Sequence, residues 1–293
     1  MSKLQRRAED CPPLEFGHSG ELAGASLAFL CRKLCRKLRR VVRQSNDAML
    51  SLHRLKVYEK ALTVAAKAQE VSACWGKRHA IVDHFRHAAE SIVLNIAEGA
   101  RLRTAPDKAR MLDYAIGSSL ECAGCLDIAC IKGKTNHEQS RTEKLRFLEI
   151  TRMLIGLRKN WGQSELNEDP SPYSEESSDE SVEVLFHHES LDVYQVGLEF
   201  MRWFVALPGG TELTDRLCRE IDKSATSVVL NVAEGNGRYS ALDQRRFLDI
   251  AAASAVKAAA YLDLYQRKTL PVDLETMEGR ELLSRIVAMV SGF

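Results

Sequence analysis

The sequence predicts an all-α chain: two tandem up-down-up-down four-helix bundles joined by an acidic disordered linker. Three observations carry this reading. A nine-residue stretch recurs almost unchanged later in the chain. Apolar residues return at helical spacing, not in strict alternation. Gly- and Pro-containing breaks separate long periodic segments, leaving loops so short that consecutive helices must run antiparallel. Aromatic residues make up only 6% of the 293-residue chain, and there is no regular succession of turn signals, which argues against a β-sandwich.

The repeat is the strongest signal. Ser91-Ile-Val-Leu-Asn-Ile-Ala-Glu-Gly99 returns as Ser227-Val-Val-Leu-Asn-Val-Ala-Glu-Gly235, an offset of 136 residues. The same offset aligns Leu55-Lys-Val-Tyr58 with Leu191-Asp-Val-Tyr194, and from 91 to 127 gives 17 identities in 37 positions without a gap. This is a duplicated domain. Its copies span 51–159 and 189–293, each long enough to support a core.

In copy one the helices are expected at about 52–73, 78–98, 106–131 and 138–159. In copy two they are expected at about 189–206, 212–234, 241–268 and 274–290. The second helix is the clearest. Ile81, Phe85, Ala89, Ile92 and Ile96 form one apolar face, matched by Leu217, Ile221, Ala225, Val228 and Val232. Leu112, Ala115, Ser119, Ala123 and Leu126 do the same for the third. Pro106 suits a first helical turn, and Lys132-Gly133 and Pro208-Gly-Gly210 break the chain.

Residues 160–188 contain eight Asp and Glu, no Lys or Arg, and Pro170 and Pro172. Such a stretch buries too little apolar surface to offset its ordering entropy and is expected to be a self-repelling linker. Residues 1–50 form a basic extension. Within it, 22–43 could make a helix with Leu27, Leu30, Leu34, Leu38 and Val41 on one face and seven Lys and Arg on the other. A helix of that kind could lie on an anionic membrane surface, a minor reading. No uncharged apolar run is long enough to span a membrane, and no membrane partner or secretory signal is expected. A cytoplasmic protein with free thiols follows.

Asn-Ile-Ala-Glu-Gly after a helix, with Gly-Ser-x-x-Glu in the next, resembles the signature of the four helix bundle protein family. That family includes proteins encoded in intervening sequences of large-subunit ribosomal RNA genes and accessory variability determinant proteins of diversity-generating retroelements. The resemblance covers both copies. Copy one keeps Asn95, Ala97, Glu98, Gly99, Gly117, Ser118 and Glu121 but lacks the following Gly-x-Gly-Arg, having Gly99-Ala-Arg101-Leu-Arg103. Copy two keeps Gly235-Asn-Gly237-Arg238-Tyr239 but replaces the later Gly and Glu by Ala253 and Lys257. The resemblance implies a non-enzymatic scaffold that assembles into homo-oligomeric rings, commonly pentamers. It also implies, for the retroelement branch, binding to a reverse transcriptase and RNA. A covalent pair cannot fill five equal positions, so an altered ring is expected here.

The residues themselves support no catalytic constellation. Asn95 and Glu98, like Asn231 and Glu234, stand three apart near a helix end with no further carboxylate, His or metal motif beside them. Together with Gly99 and Gly235 they read as structural groups. Cys122-x-x-Cys125 is half a zinc site without its second half, and its positions align with Ala258 and Tyr261, so packing is expected. His79, His84 and His87 align with Asp215, Glu220 and Lys223, the mark of a solvated face. There is no Glu-x-x-His for a di-iron site and no phosphate-binding or nucleophile motif. No catalytic residue, metal or cofactor is expected.

Charge gives the functional lead. Residues 51–159 carry 19 Lys and Arg against 12 Asp and Glu, whereas 189–293 carry 12 against 15. One side of the chain could attract a polyanion. The candidate phosphate contacts are Arg101, Arg103, Lys108, Arg110, Arg141, Lys144, Arg146, Arg152, Arg158 and Lys159. Few aromatics interleave, so base stacking should be weak. The expected function is a scaffold or accessory protein that contacts RNA through copy one and a protein through copy two, the resemblance implying a reverse transcriptase as that partner. The alternative is an oligomerisation module with no nucleic-acid role.

Overall fold

A computed structural model describes residues 52–76, 80–162, 184–207, 213, 215–269 and 274–292. The possible helix at 22–43, Cys31, Cys35, His79 and most of the linker lie outside these residues. Among the described residues eight α-helices follow one another: α1 Lys56–Ser72, α2 Ala80–Arg101, α3 Ala105–Ile131, α4 His137–Gly162, α5 Asp192–Ala206, α6 Arg216–Asn236, α7 Ala241–Thr269 and α8 Leu274–Ser291. A short 3-10 turn, His187–Ser190, precedes α5. No strand forms among the described residues. Each run of four helices closes into a bundle: α1 packs on α2 and α4, and α3 on α2 and α4, with the same pairings among α5–α8.

Local chemistry sets the ends. Thr104 caps α3 by accepting a hydrogen bond from the Asp107 N–H at 3.3 Å, with Pro106 in the first turn. At the far end of α3 the chain turns through Gly133, whose φ of +63° a side chain would strain, and Lys134 N–H donates back to the Ala129 carbonyl at 2.8 Å. Asn136 caps α4 by accepting from Gln139 N–H at 2.8 Å, and Asp215 caps α6 by accepting from Leu217 N–H at 2.7 Å. The faces expected to be apolar are the buried ones. Ile81, Phe85, Ala89, Ile92 and Ile96 are buried, as are their five counterparts on α6.

Two features depart from independent tandem bundles. First, the buried side chains of both copies join in one core, because α3 of copy one packs on α5 and α6 of copy two as well as on its own neighbours. This explains why α3 is apolar on nearly every side and buried almost throughout, while its repeat α7 buries mainly Ala251, Ala255, Ala258 and Leu262. Among the described residues α3 alone is long and apolar enough to cross a membrane, and most of its apolar stretch is buried in the bundle. Second, residues 184–188, assigned to the linker, belong to the fold. Phe186 and His188 are fully buried, since acidity in the preceding stretch does not extend to these aromatic side chains.

Candidate nucleic-acid interface

The basic residues of copy one divide by the helix face on which they fall. On α4 the inner face is set by Phe147, Ile150, Leu154 and Ile155, all buried. Arg141, Arg152 and Lys159 fall 11 and 7 residues apart, within about 20° of one line on a helix of 3.6 residues per turn. All three are exposed. The line runs about 27 Å along the axis at 1.5 Å per residue. Arg101 and Arg103 are exposed where α2 ends. Trp161, near the end of α4, packs beside Gly99, and the Lys108 ammonium stands 5.3 Å from the centre of the Trp161 ring. The end of α2, the start of α3 and the end of α4 therefore converge. That end carries Arg101, Arg103, Lys108 and Lys159. Arg110 is exposed but pairs with Asp107 at 3.1 Å, and Arg146 pairs with Glu143 at 3.3 Å.

Two of the ten expected phosphate contacts are buried and must be reassigned. Lys144 is bonded to Asp127 and, at 3.0 Å, to Glu189 of copy two. Burial pulls its ammonium pKa down, but the two carboxylates outweigh burial and hold it above the ordinary value. Arg158 donates to Asp113 at 2.5 Å, and its guanidinium lies 3.8 Å from the centre of the Tyr239 ring of copy two. Both residues join the copies. A signal for Lys144 was present in the repeat: position 144 is basic in both copies, Lys144 and Arg280, and each pairs with the Asp that the repeat retains, Asp127 or Asp263.

The signature residues form the same network twice. Asn95 Nδ2 donates to the Ser91 carbonyl at 2.8 Å and to Ser91 Oγ at 2.9 Å, and Ser91 Oγ meets Ser118 Oγ at 2.8 Å. Asn231 repeats this with Ser227 at 2.7 and 3.1 Å, and Ser227 meets Ser254 at 2.9 Å. The Asn and Ser thus tie the second helix of each bundle to the third. The two Glu differ. Glu98 is exposed, whereas Glu234 is bonded to Arg238, whose guanidinium sits 4.7 Å from both the Tyr114 and Phe247 rings. Burial, and then Glu121 nearby, raise the Glu234 pKa.

The unequal losses of the pattern now have a geometric reason. The Gly117 and Glu121 kept by copy one face the Glu234, Gly237 and Arg238 kept by copy two. The parts that meet at the junction between the copies are the parts retained. Sequence reasoning treated the two sets separately and missed that they are one interface. It also missed Lys132 and Asp222, a buried ion pair across that interface: position 132 is Lys in both copies, Lys132 and Lys268, but Asp222 aligns with Arg86, so the pair itself is not repeated. Tyr194 was seen only as a repeated residue; its hydroxyl donates to Asp127 at 2.8 Å, again from one copy to the other.

Cys122 and Cys125 are both buried, and burial raises their thiol pKa values well above normal. His84 lies 3.1 Å from Glu121, while His87 is exposed. No group of metal-ligating side chains gathers among the described residues.

No curated protein and no solved structure matches the chain. A family model does, twice, over residues 53–156 and 189–292, the two copies set out by the internal repeat. The chain therefore belongs to the 23S rRNA-intervening sequence protein family.

Proposed function

We propose that this protein is a non-catalytic accessory scaffold of the cytoplasm that binds RNA by its phosphates through copy one. The observation that carries this is the exposed line Arg141, Arg152 and Lys159 on α4, together with Arg101 and Arg103 at its end. None of these five has an ion-pair partner among the described residues, so their charge is available to an external anion. Two observations favour the same reading: the family's name ties it to ribosomal RNA, and in this chain the repeated Asn–Ser network commits its polar side chains to holding helices together. Copy two, with its acidic balance, is left to engage protein, a reverse transcriptase being one such partner.

The test is a filter-binding titration of the full chain with generic single-stranded RNA over a salt series. Each neutralised phosphate on a single strand contributes about −0.7 to the slope of log K against log salt. Contact through the five free cations predicts a slope of about −2 to −3.5. Absence of binding at about 50 mM salt, where such contacts are strongest, would return the protein to a purely structural role.

A further inference from the structure

The end of copy one where α2 stops, α3 starts and α4 finishes holds one aromatic ring among cations. Trp161 is half-buried there. Its Cζ3 lies 3.2 Å from where a Cβ on Gly99 would stand, so the glycine lets the indole lie against α2. The Lys108 ammonium stands over the ring, 5.3 Å from its centre. Arg101, Arg103 and Lys159 are exposed at the same end. Two carboxylates share it, Glu98 and Asp107, and Asp107 is taken up by Thr104 and Arg110.

The other two tryptophans are placed differently. Trp75 is 1% exposed and stacks on Phe85, ring centres 4.9 Å apart, while Trp203 lies tilted on Phe200 at 5.4 Å. Among the described residues no aromatic ring packs on Trp161, and a mobile lysine chain is what lies over it. The repeat shows that a bundle end of this kind needs no such cations. At the offset of 136, Arg101, Arg103 and Lys108 align with Gly237, Tyr239 and Gln244, all uncharged. In copy two that end is filled from within the molecule. Gln244 donates to the Arg238 carbonyl at 2.7 Å, and Tyr239 lies under Arg158 at 3.8 Å.

We infer that Trp161 is a stacking platform for one unpaired nucleobase of the bound RNA, the phosphates beside that base being held by Arg101, Arg103, Lys108 and Lys159. This rests on the phosphate-binding reading of copy one and adds a base to it. Every base has a π-face, so the platform tolerates any sequence. A base stacked inside a duplex is out of reach, so the platform selects an unpaired one. The strand then leaves the platform along Lys159, Arg152 and Arg141. Weak base stacking, expected from the scarcity of aromatics, holds along that line but not at its end.

The experiment adds two probes to the full chain at low salt, a short oligoadenylate and inorganic polyphosphate. Oligoadenylate should quench part of the tryptophan emission, and polyphosphate, which has charge but no base, should not. Trp161→Phe should remove that quenching yet hold affinity within about threefold, since a ring remains. Trp161→Leu should weaken oligoadenylate about tenfold and leave polyphosphate as it was. Its salt slope for oligoadenylate should match the parent's, because stacking releases no counterion. Quenching that persists in Trp161→Phe, or oligoadenylate affinity that Trp161→Leu leaves unchanged, overturns the inference while phosphate binding stands. Equal loss of both probes in Trp161→Leu also overturns it, since the indole would then only hold the bundle end in shape. If neither probe binds the parent chain, the phosphate-binding reading fails and the platform falls with it.

Discussion

Gly237 lies against Gly117 so closely that a Cβ on Gly237 would stand 3.0 Å from the Gly117 Cα and 3.2 Å from its backbone nitrogen. Backbone cannot yield as a side-chain tip can. Gly237→Ala should therefore push the copies apart and cost about 1–3 kcal/mol, the usual range for overpacking. Gly156 supplies the control, since it is exposed on α4 with nothing within 4 Å of its Cβ position. Gly156→Ala should stabilise by about 0.5–1 kcal/mol by removing helix-interior glycine. Urea unfolding of both variants checks the contrast; equal effects would mean that the close approach is not what the glycine at 237 provides.

Lys132 and Asp222 form an ion pair with almost no exposure, and burial lowers the lysine pKa despite the partner. Removing one charge strands the other in a poorly polarisable interior. Asp222→Leu alone should cost about 3–5 kcal/mol, whereas Lys132→Met with Asp222→Leu should recover most of the loss. A double-mutant cycle by chemical denaturation measures this. If the single and double variants are equally unstable, the loss comes from packing and not from the stranded charge.

The bundle itself was legible because its information is local and repeated. Ile81, Phe85, Ala89, Ile92 and Ile96 announce a helix face by spacing alone, and the same face recurs on α6. The docking of one copy on the other was not, for a physical reason. Lys144 and Arg158 look like surface cations in one dimension; only the fold brings Glu189 and Tyr239 of copy two over them. Periodicity reports that a residue faces inward or outward from its own helix, and says nothing of a second bundle arriving on the outside. The one clue was the complementary loss of motif residues, Gly117 and Glu121 kept in one copy and Gly237 and Arg238 in the other, which becomes readable once the two are seen in contact.

His188 is fully buried between Phe186 and Tyr194, with ring centres 5.6 and 4.8 Å away, and neither ring nitrogen has a hydrogen-bond partner among the described residues. Burial, then Lys144 and His187, hold its pKa well below the ordinary 6.5. The sign follows from proton binding. Below pH 6.5 the unfolded chain takes up a proton that the native state refuses, so stability falls as pH drops from there. The slope from this group approaches 1.4 kcal/mol per pH unit as a limit. His188→Phe should remove that dependence, leaving the variant about 1–2 kcal/mol better off at pH 5 than at pH 7 relative to the parent. Urea melts at the two pH values provide the comparison, and a parallel decline of both proteins would place the acid sensitivity elsewhere.

The basic residues of copy one should separate into two functional groups under one pair of experiments. Arg141, Arg152 and Lys159 lie exposed on one line of α4, whereas Lys144 and Arg158, on the same helix, are bonded inward. Replacing the three exposed residues by Gln removes charge without exposing core, so thermal stability should change by less than about 0.5 kcal/mol. RNA affinity should fall, and the magnitude of the salt slope should decrease by about 2, at 0.7 per lost phosphate contact. Lys144→Met has the opposite signature. It leaves Asp127 and Glu189 without their shared cation and should destabilise by about 3–5 kcal/mol. At temperatures where the variant remains folded, its RNA salt slope should match the parent's, because a buried ammonium neutralises no phosphate. A slope that drops for Lys144→Met, or persists after loss of the three exposed cations, would move the nucleic-acid surface off the outer line of α4.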